Sequence, residues 1–148
     1  ALAAALVAVS LTTAAARTPH PTTVVKKPTI TVYKDPNCGC CKAWIAHLVK
    51  AGYTVDAKDS PSMSEIKRGL GVPDALTSCH TGVVNGYIIE GHVSPEEIDR
   101  LLAQKPTIAG LAVPGMPMGS PGMDGGPKQH YQVLAFEKNG KAKVFASH

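Results

Sequence analysis

Long apolar runs, clustered positive charge and aromatic side chains are all scarce in this chain of 148 residues, and each scarcity removes a class of function. Fifteen Lys and Arg against eleven Asp and Glu leave a formal net charge of +4, with the basic residues scattered and only two Phe, one Trp and four Tyr among them. A phosphate-tracking stripe with stacking side chains is therefore missing, and nucleic-acid binding finds no support. No apolar run approaches the ~20 residues that span a bilayer. The longest, Ala1 to Ala16, closes on Ala14-Ala15-Ala16 before Arg17, the pattern of an h-region and a small-residue cleavage site. It has no initiating Met and no basic n-region, so residues 1–16 read as the remnant of a secretory signal. The expected mature protein begins near Arg17 and is soluble and exported, with no membrane segment. A flexible N-terminal stretch, 17–28, precedes one domain, 29–148.

What the chain does have is sulfur. Three of its four cysteines crowd into Cys38-Gly39-Cys40-Cys41, and the fourth, Cys79, is followed by His80. Structural disulfides are the default in an oxidising compartment. They fit poorly here, because adjacent Cys40 and Cys41 cannot pair without strain and a bridge within Cys38 to Cys41 closes too short a loop to constrain the unfolded chain. Metal or redox chemistry is the better reading.

Periodicity places these thiols. Ile30 to Tyr33 reads as a strand, Lys34 to Gly39 as a turn-rich loop, and Cys41 to Ala51 as a helix burying Trp44, Ile45, Leu48 and Val49. Free N–H groups at that helix start favour a thiolate at Cys41 and, less, at Cys38. Thr54 to Ala57 is a second strand. Ser62 to Glu65 has the form of a capping box ahead of a short helix that stops at Gly71 and Pro73. Asn85-Gly86 is a hairpin turn between Gly82–Val84 and Tyr87–Ile89. Ser94-Pro95-Glu96-Glu97 caps a third helix carrying Ile98, Leu101 and Leu102. The order β-α-β-α-β-β-α is the thioredoxin-like one, with Cys38 and Cys41 where a thioredoxin has its redox pair, and a further C-terminal hairpin is expected from Gln132 to Phe136 and Lys141 to Phe145.

Counting outward from Asn85-Gly86 sets Cys79 opposite His92 at the open end of the hairpin. A third strand antiparallel to the first brings Cys79, His80 and His92 toward Cys38 and Cys41. Residues 109–126 form a loop by composition, and its Met116, Met118 and Met123 have no helical or strand period. Thioethers beside thiolates favour Cu(I), with imidazole a common partner. His20 and His148 read as solvated, His47 as pointing away on the polar helix face, and His130 as a weaker candidate.

Cys38-Gly39-Cys40-Cys41-Lys42-Ala43-Trp44, Ser78-Cys79-His80-Thr81, Val84-Asn85-Gly86-Tyr87, Glu90-Gly91-His92-Val93 and Gly110-Leu111-Ala112-Val113-Pro114-Gly115-Met116-Pro117 together resemble the CopG-type copper-resistance family, distinct from the DNA-binding repressor of that name. The resemblance implies a thioredoxin-like periplasmic protein that holds copper through cysteines, with bridging thiolates assembling more than one Cu(I) and interconverting Cu(I) and Cu(II). The implied metal-site residues are Cys38, Cys40, Cys41, Cys79, His80, His92, Met116 and Met118, with zinc or silver as substitutes for copper. Partners would be copper ions and periplasmic copper-handling or electron-transfer proteins, and the protein would be a monomer. A copper oxidoreductase and a passive reservoir share this residue list. Two alternatives stay open: a thiol–disulfide oxidoreductase using Cys38 and Cys41, and a structural zinc module.

Overall fold

In a computed structural model the described residues are 26–148; the expected signal remnant, His20 and most of the expected flexible segment lie outside them. The elements run β1 (Thr29–Lys34), α1 (Gly39–Lys50), β2 (Thr54–Asp59), α2 (Met63–Leu70), a 3-10 turn (Asp74–Leu76), β3 (Thr81–Val84), β4 (Tyr87–Glu90), α3 (Pro95–Gln104), β5 (Gly110–Ala112), β6 (Gln132–Phe136) and β7 (Ala142–Ser147). The strands form one mixed sheet in the order β2-β1-β3-β4-β5-β6-β7. β1 and β2 are parallel, β3 is antiparallel to β1, and β4 and β5 are parallel.

One core face gathers Ile30, Val32, Trp44, Leu48, Val84, Ile89, Ile98, Leu101, Leu111 and Val133, and a smaller cluster gathers Val72, Leu76, Ile88, Ala112 and Phe136. Complete burial of a side chain such as Leu48 contributes about 2 kcal/mol. Trp44 is also tied by its indole N–H, which donates to the Val93 carbonyl at 2.8 Å. That bond satisfies the one polar atom of a ring otherwise committed to the core.

The β3–β4 hairpin has the register counted from its turn, Val84 opposite Tyr87 and Val83 opposite Ile88. Asn85 and Gly86 both take positive φ, 47° and 83°, as a two-residue turn matching strand twist requires. The capping box at α3 forms in both directions between Ser94 and Glu97. At α2 it does not: Ser62 makes no side-chain cap bond, and its own N–H donates to Ser60 Oγ at 3.1 Å. Val49, expected in the core, is 57% exposed. The buried stripe of α1 is Cys41, Trp44 and Leu48, and Val49 lies about 100° further round the helix than Leu48.

The larger correction concerns 109–126, read as loop throughout. Residues 110–112 are β5, paired with β4 on one side and β6 on the other. A Gly-Leu-Ala triplet has no strand-like branching, so its composition hides it; yet a Cβ at position 110 would run into the Ile88 carbonyl. The small residue is what lets the strands close. With β5 in place, the terminal hairpin β6–β7 extends the main sheet.

Candidate metal centre

The turn after β1 delivers the first three thiols. The Asn37 N–H donates to Asp35 Oδ1 at 2.8 Å and the Cys38 N–H to the Asp35 carbonyl at 3.1 Å, a side-chain-stabilised turn that starts α1 at the sheet's end. Cys38 is the N-cap: its Sγ accepts the Cys41 N–H at 3.2 Å. The sulfur facing the free N–H groups is therefore that of Cys38, while Cys41 is fully buried. Cys38 and Cys41 are joined by a disulfide, leaving Cys40 and Cys79 as free thiols.

Cys40 sits between the two halves of the centre. Its Sγ lies 3.5 Å from Cys38 Sγ, 3.6 Å from Cys79 Sγ and 4.0 Å from Met116 Sδ. Cys79 Sγ in turn lies 3.2 Å from His80 Nδ1 and 3.2 Å from His92 Nε2. Two groups of ligand atoms result, Cys38/Cys40/Cys41/Cys79 and Cys79/His80/His92, each within 4.8 Å internally and sharing Cys79. The hairpin arithmetic that set Cys79 opposite His92 is realised in that S···N contact.

Burial sets the protonation of the centre. It pushes the Cys79 thiol up to about 12, helped by the neighbouring Cys40, so the metal-free group is a neutral thiol. It also drives His80 well below its usual value, with His92 and Lys67 adding to the effect, and lowers His92. Both rings are thus neutral, the form that ligates metals. His92 Nδ1 lies 2.8 Å from the Pro121 carbonyl, a contact that fixes the proton on Nδ1 and turns the Nε2 lone pair toward Cys79. His80 is 0% exposed and lies against Trp44 with ring centroids 4.2 Å apart and the planes tilted by 35°. Its Nε2 is a buried polar atom without a hydrogen-bond partner. Thiols, a thioether and neutral imidazoles are a donor set for soft and borderline ions such as Cu(I) and Zn(II), and not for Mg(II) or Ca(II).

The segment after β5 closes over this face. The Gly115 N–H donates to the Thr77 carbonyl at 3.0 Å, and Ser78 Oγ donates to the Gly115 carbonyl. Gly122 lies against the first turn of α1, where a Cβ would fall 2.7 Å from Trp44 N and 2.9 Å from the Cys40 carbonyl. Met116, half exposed, is the methionine brought to the thiols. Met118 is anchored to Gln129 by two bonds of 2.9 Å and lies over Gly126 instead. The backbone of Met123 is bonded within the loop, to Gly119 and Ser120. His130 is exposed, with Nδ1 3.2 Å from the His148 carbonyl, away from the centre. His47 keeps to the polar face, 3.6 Å from Asp124. His148 is not simply solvated: it stacks on Tyr131 and places Nε2 2.5 Å from Glu97 Oε1. A surface groove of about 610 Å³ beside His130 and Tyr131 contains none of the thiols.

Sequence reasoning missed the polar support beneath the centre. Glu90, fully buried at the end of β4, accepts from Lys67 Nζ at 2.5 Å, Thr81 Oγ1 at 2.6 Å and the Ser78 N–H at 2.7 Å. A carboxylate following the apolar run Tyr87-Ile88-Ile89 was the available signal. Pro121, whose contribution is a carbonyl, offered none.

A family model described as "Protein of unknown function, DUF411" matches residues 76–123, the stretch from the end of the 3-10 turn through Cys79, His92 and Met116. No curated protein matches the chain. Two solved structures described as copper resistance protein CopG, form 2 and form 1, each superpose with a TM-score of 0.78 at 45% identity, covering 82% of this chain and 98% of theirs. Likeness of that extent and identity means that the chain belongs to the CopG copper-resistance family.

Proposed function

We propose that this chain is a periplasmic copper-binding protein of copper resistance that holds Cu(I) through Cys38, Cys40, Cys41 and Cys79, as a thiolate-bridged multinuclear centre, with His80, His92 and Met116 completing coordination. The observation that carries this reading is the contact chain from Cys40 to Cys79 and on to two imidazoles, at 3.6 Å and 3.2 Å. Shared thiolates lower the charge of packing several soft d¹⁰ ions together, which suits four sulfurs in mutual reach. The similarity to two structures of a copper resistance protein supports copper as the metal. Met118 drops to a peripheral place in this reading, and zinc or silver would occupy the same donors as substitutes.

The core β1-α1-β2 unit followed by the antiparallel β3–β4 pair and α3 supports a thioredoxin-like ancestry, with the extension from β5 onward added to it. In that fold the Cys38–Cys41 disulfide is a two-electron store at a helix N-terminus. Opened, it adds two thiolates to the centre; closed, it withdraws them. Closing the disulfide releases two electrons, which balances the reduction of two Cu(II) to two Cu(I), and opening it takes up the two electrons that two Cu(I) release, so copper interconversion at this centre is coupled to thiol state two ions at a time.

The disulfide also favours a second reading, a thiol–disulfide oxidoreductase. The two separate cleanly. Reduced chain is loaded with Cu(I) without oxygen, and bound copper per chain is measured beside a Cys79→Ser variant. More than one Cu(I) in the native chain, falling sharply in the variant, supports the copper centre. No tight copper, with turnover of a disulfide substrate that needs Cys38 and Cys41 and tolerates Cys79→Ser, would replace it.

A further inference from the structure

The buried pair Lys67–Glu90 has no explanation in stability alone. Taking two opposite charges out of water costs several kcal/mol per ion, and apolar replacements of such pairs are often neutral or stabilising. Here both members are buried, Glu90 completely. Their hydrogen bonds lead to the metal face. Lys67 Nζ donates to Thr81 Oγ1 at 2.9 Å and to Glu90, whose carboxylate also holds the Ser78 N–H, one residue before Cys79. Thr81, one residue after His80, donates to the same carboxylate. Glu90 thus grips both sides of the Cys79-His80 dipeptide, from a strand that ends two residues before His92.

Ser78 carries the grip across to the loop. Its N–H is held by Glu90 while its Oγ donates to the Gly115 carbonyl, directly before Met116. Gly91 makes room for this arrangement: with φ of 71° it lies so close to Ser78 that a Cβ would sit 2.5 Å from the Ser78 Oγ. The β3 ladder starts at Thr81, and ahead of it the backbone around Cys79 is held by single bonds on either side, Gly91 N–H to the His80 carbonyl and Gly115 N–H to the Thr77 carbonyl, both at 3.0 Å. Between those two bonds, Cys79 itself has no backbone partner among the described residues, and the side-chain grip of Glu90 on Ser78 and Thr81 adds the support that keeps one geometry.

We propose that Lys67, Glu90 and Ser78 are positioning residues that preorganise Cys79, His80 and Met116 for the metal, with Glu90 as the hub. The proposal rests on the copper-binding reading for its consequence, though not for its geometry. Outer-shell partners of metal ligands characteristically carry 10- to 100-fold in affinity, and the same scale is expected here.

The test replaces the pair by apolar residues of similar size, Lys67→Met with Glu90→Leu. Three quantities are compared with the native chain: the melting temperature, Cu(I) affinity by competition with a chromophoric chelator, and the rate of Cys79 alkylation in metal-free protein, resolved by peptide mapping. The expected result is a variant that still unfolds cooperatively, with a melting temperature lowered only modestly because removal of two desolvated charges offsets the acceptor lost to Thr81 and Ser78, a roughly tenfold or greater loss of Cu(I) affinity, and faster alkylation of Cys79. Glu90→Gln, which keeps an acceptor for the Ser78 N–H, is expected to recover part of both losses. Unchanged affinity and unchanged alkylation in the folded double variant would overturn the proposal. Should that variant not fold, a cycle of Ser78→Ala with Met116→Leu decides: coupled losses support the clasp, and additive losses refute it. A native chain that bound no Cu(I) would sink the copper reading, whereas the alkylation rates would still judge the positioning role.

Discussion

Two buried polar groups lie back to back at the open end of the β3–β4 hairpin, and they are built on opposite terms. Lys67, Glu90, Thr81 and Ser78 form a charged set whose hydrogen bonds close on one another. Cys79, His80 and His92 form a neutral set, its thiol pushed up, its imidazoles pushed down, and one ring nitrogen left without a partner. A closed network specifies a single conformation; an open one leaves the Cys79 sulfur and the two ring nitrogens facing it, His80 Nδ1 and His92 Nε2, for a ligand to take up. The contrast separates scaffold from site without reference to any relative.

The contrast is broken most severely from the scaffold side. Lys67→Met alone strands the Glu90 carboxylate in the interior, and the expected loss is about 3–5 kcal/mol of stability, read by denaturant unfolding. On the site side, Cys79→Ser removes the atom shared by both ligand groups. Bound Cu(I) per chain should fall by half or more while the melting temperature of the metal-free chain stays near the native value.

Acid should separate the two groups as well. His80 and His92 have folded values below the ordinary imidazole range. The unfolded chain therefore binds their protons first, and stability is full above about pH 6.5 and declines as pH falls below it. A series of unfolding midpoints for the metal-free chain between pH 8 and 5 should show this decline, reduced in His92→Gln. Copper affinity should move the same way for a different reason. Cys79 must lose a proton held up to about pH 12, so apparent Cu(I) affinity should rise with pH, about tenfold per unit for that one displaced proton.

The smallest effects fall at the rim. Met116→Leu should weaken Cu(I) binding several-fold at most, since a half-exposed thioether 4.0 Å from Cys40 is a weak, adaptable donor. Met118→Leu should leave copper binding unchanged, and equal losses for the two methionines would sharpen the case for a wider sulfur face.

Much of this was legible in the sequence because the signals were local. Asn85-Gly86 sets a turn, the turn sets a register, and the register brings Cys79 to His92. The Ser94 capping box and the buried Trp44–Leu48 stripe are likewise written in adjacent residues. What escaped were features decided by distant partners. β5 is a strand because β4 and β6 flank it, not because Gly-Leu-Ala prefers one. Nothing adjacent to Lys67 marks it for burial; its partner Glu90 is 23 positions away. At Ser62 the box does not form, and the Ser62 N–H goes to Ser60 Oγ instead. Met118 and Met116 differ by two positions, yet Gln129 anchors one and Ser78 delivers the other.

β5 and β6 are antiparallel neighbours, with Ala112 opposite Leu134. The covering segment between them therefore leaves the sheet and returns to it at adjacent rungs, so the scaffold closes that loop whatever it contains. Lengthening such a loop costs little, about 0.6 kcal/mol for each doubling. The cover behaves as a cassette: methionines, lid length and outer chemistry can be exchanged in one piece, provided that a glycine faces the first turn of α1 and a carbonyl meets His92. Within the cover it is the rim thioether of Met116 that such an exchange would alter, while the thiols and imidazoles stay where α1 and the β3–β4 hairpin hold them.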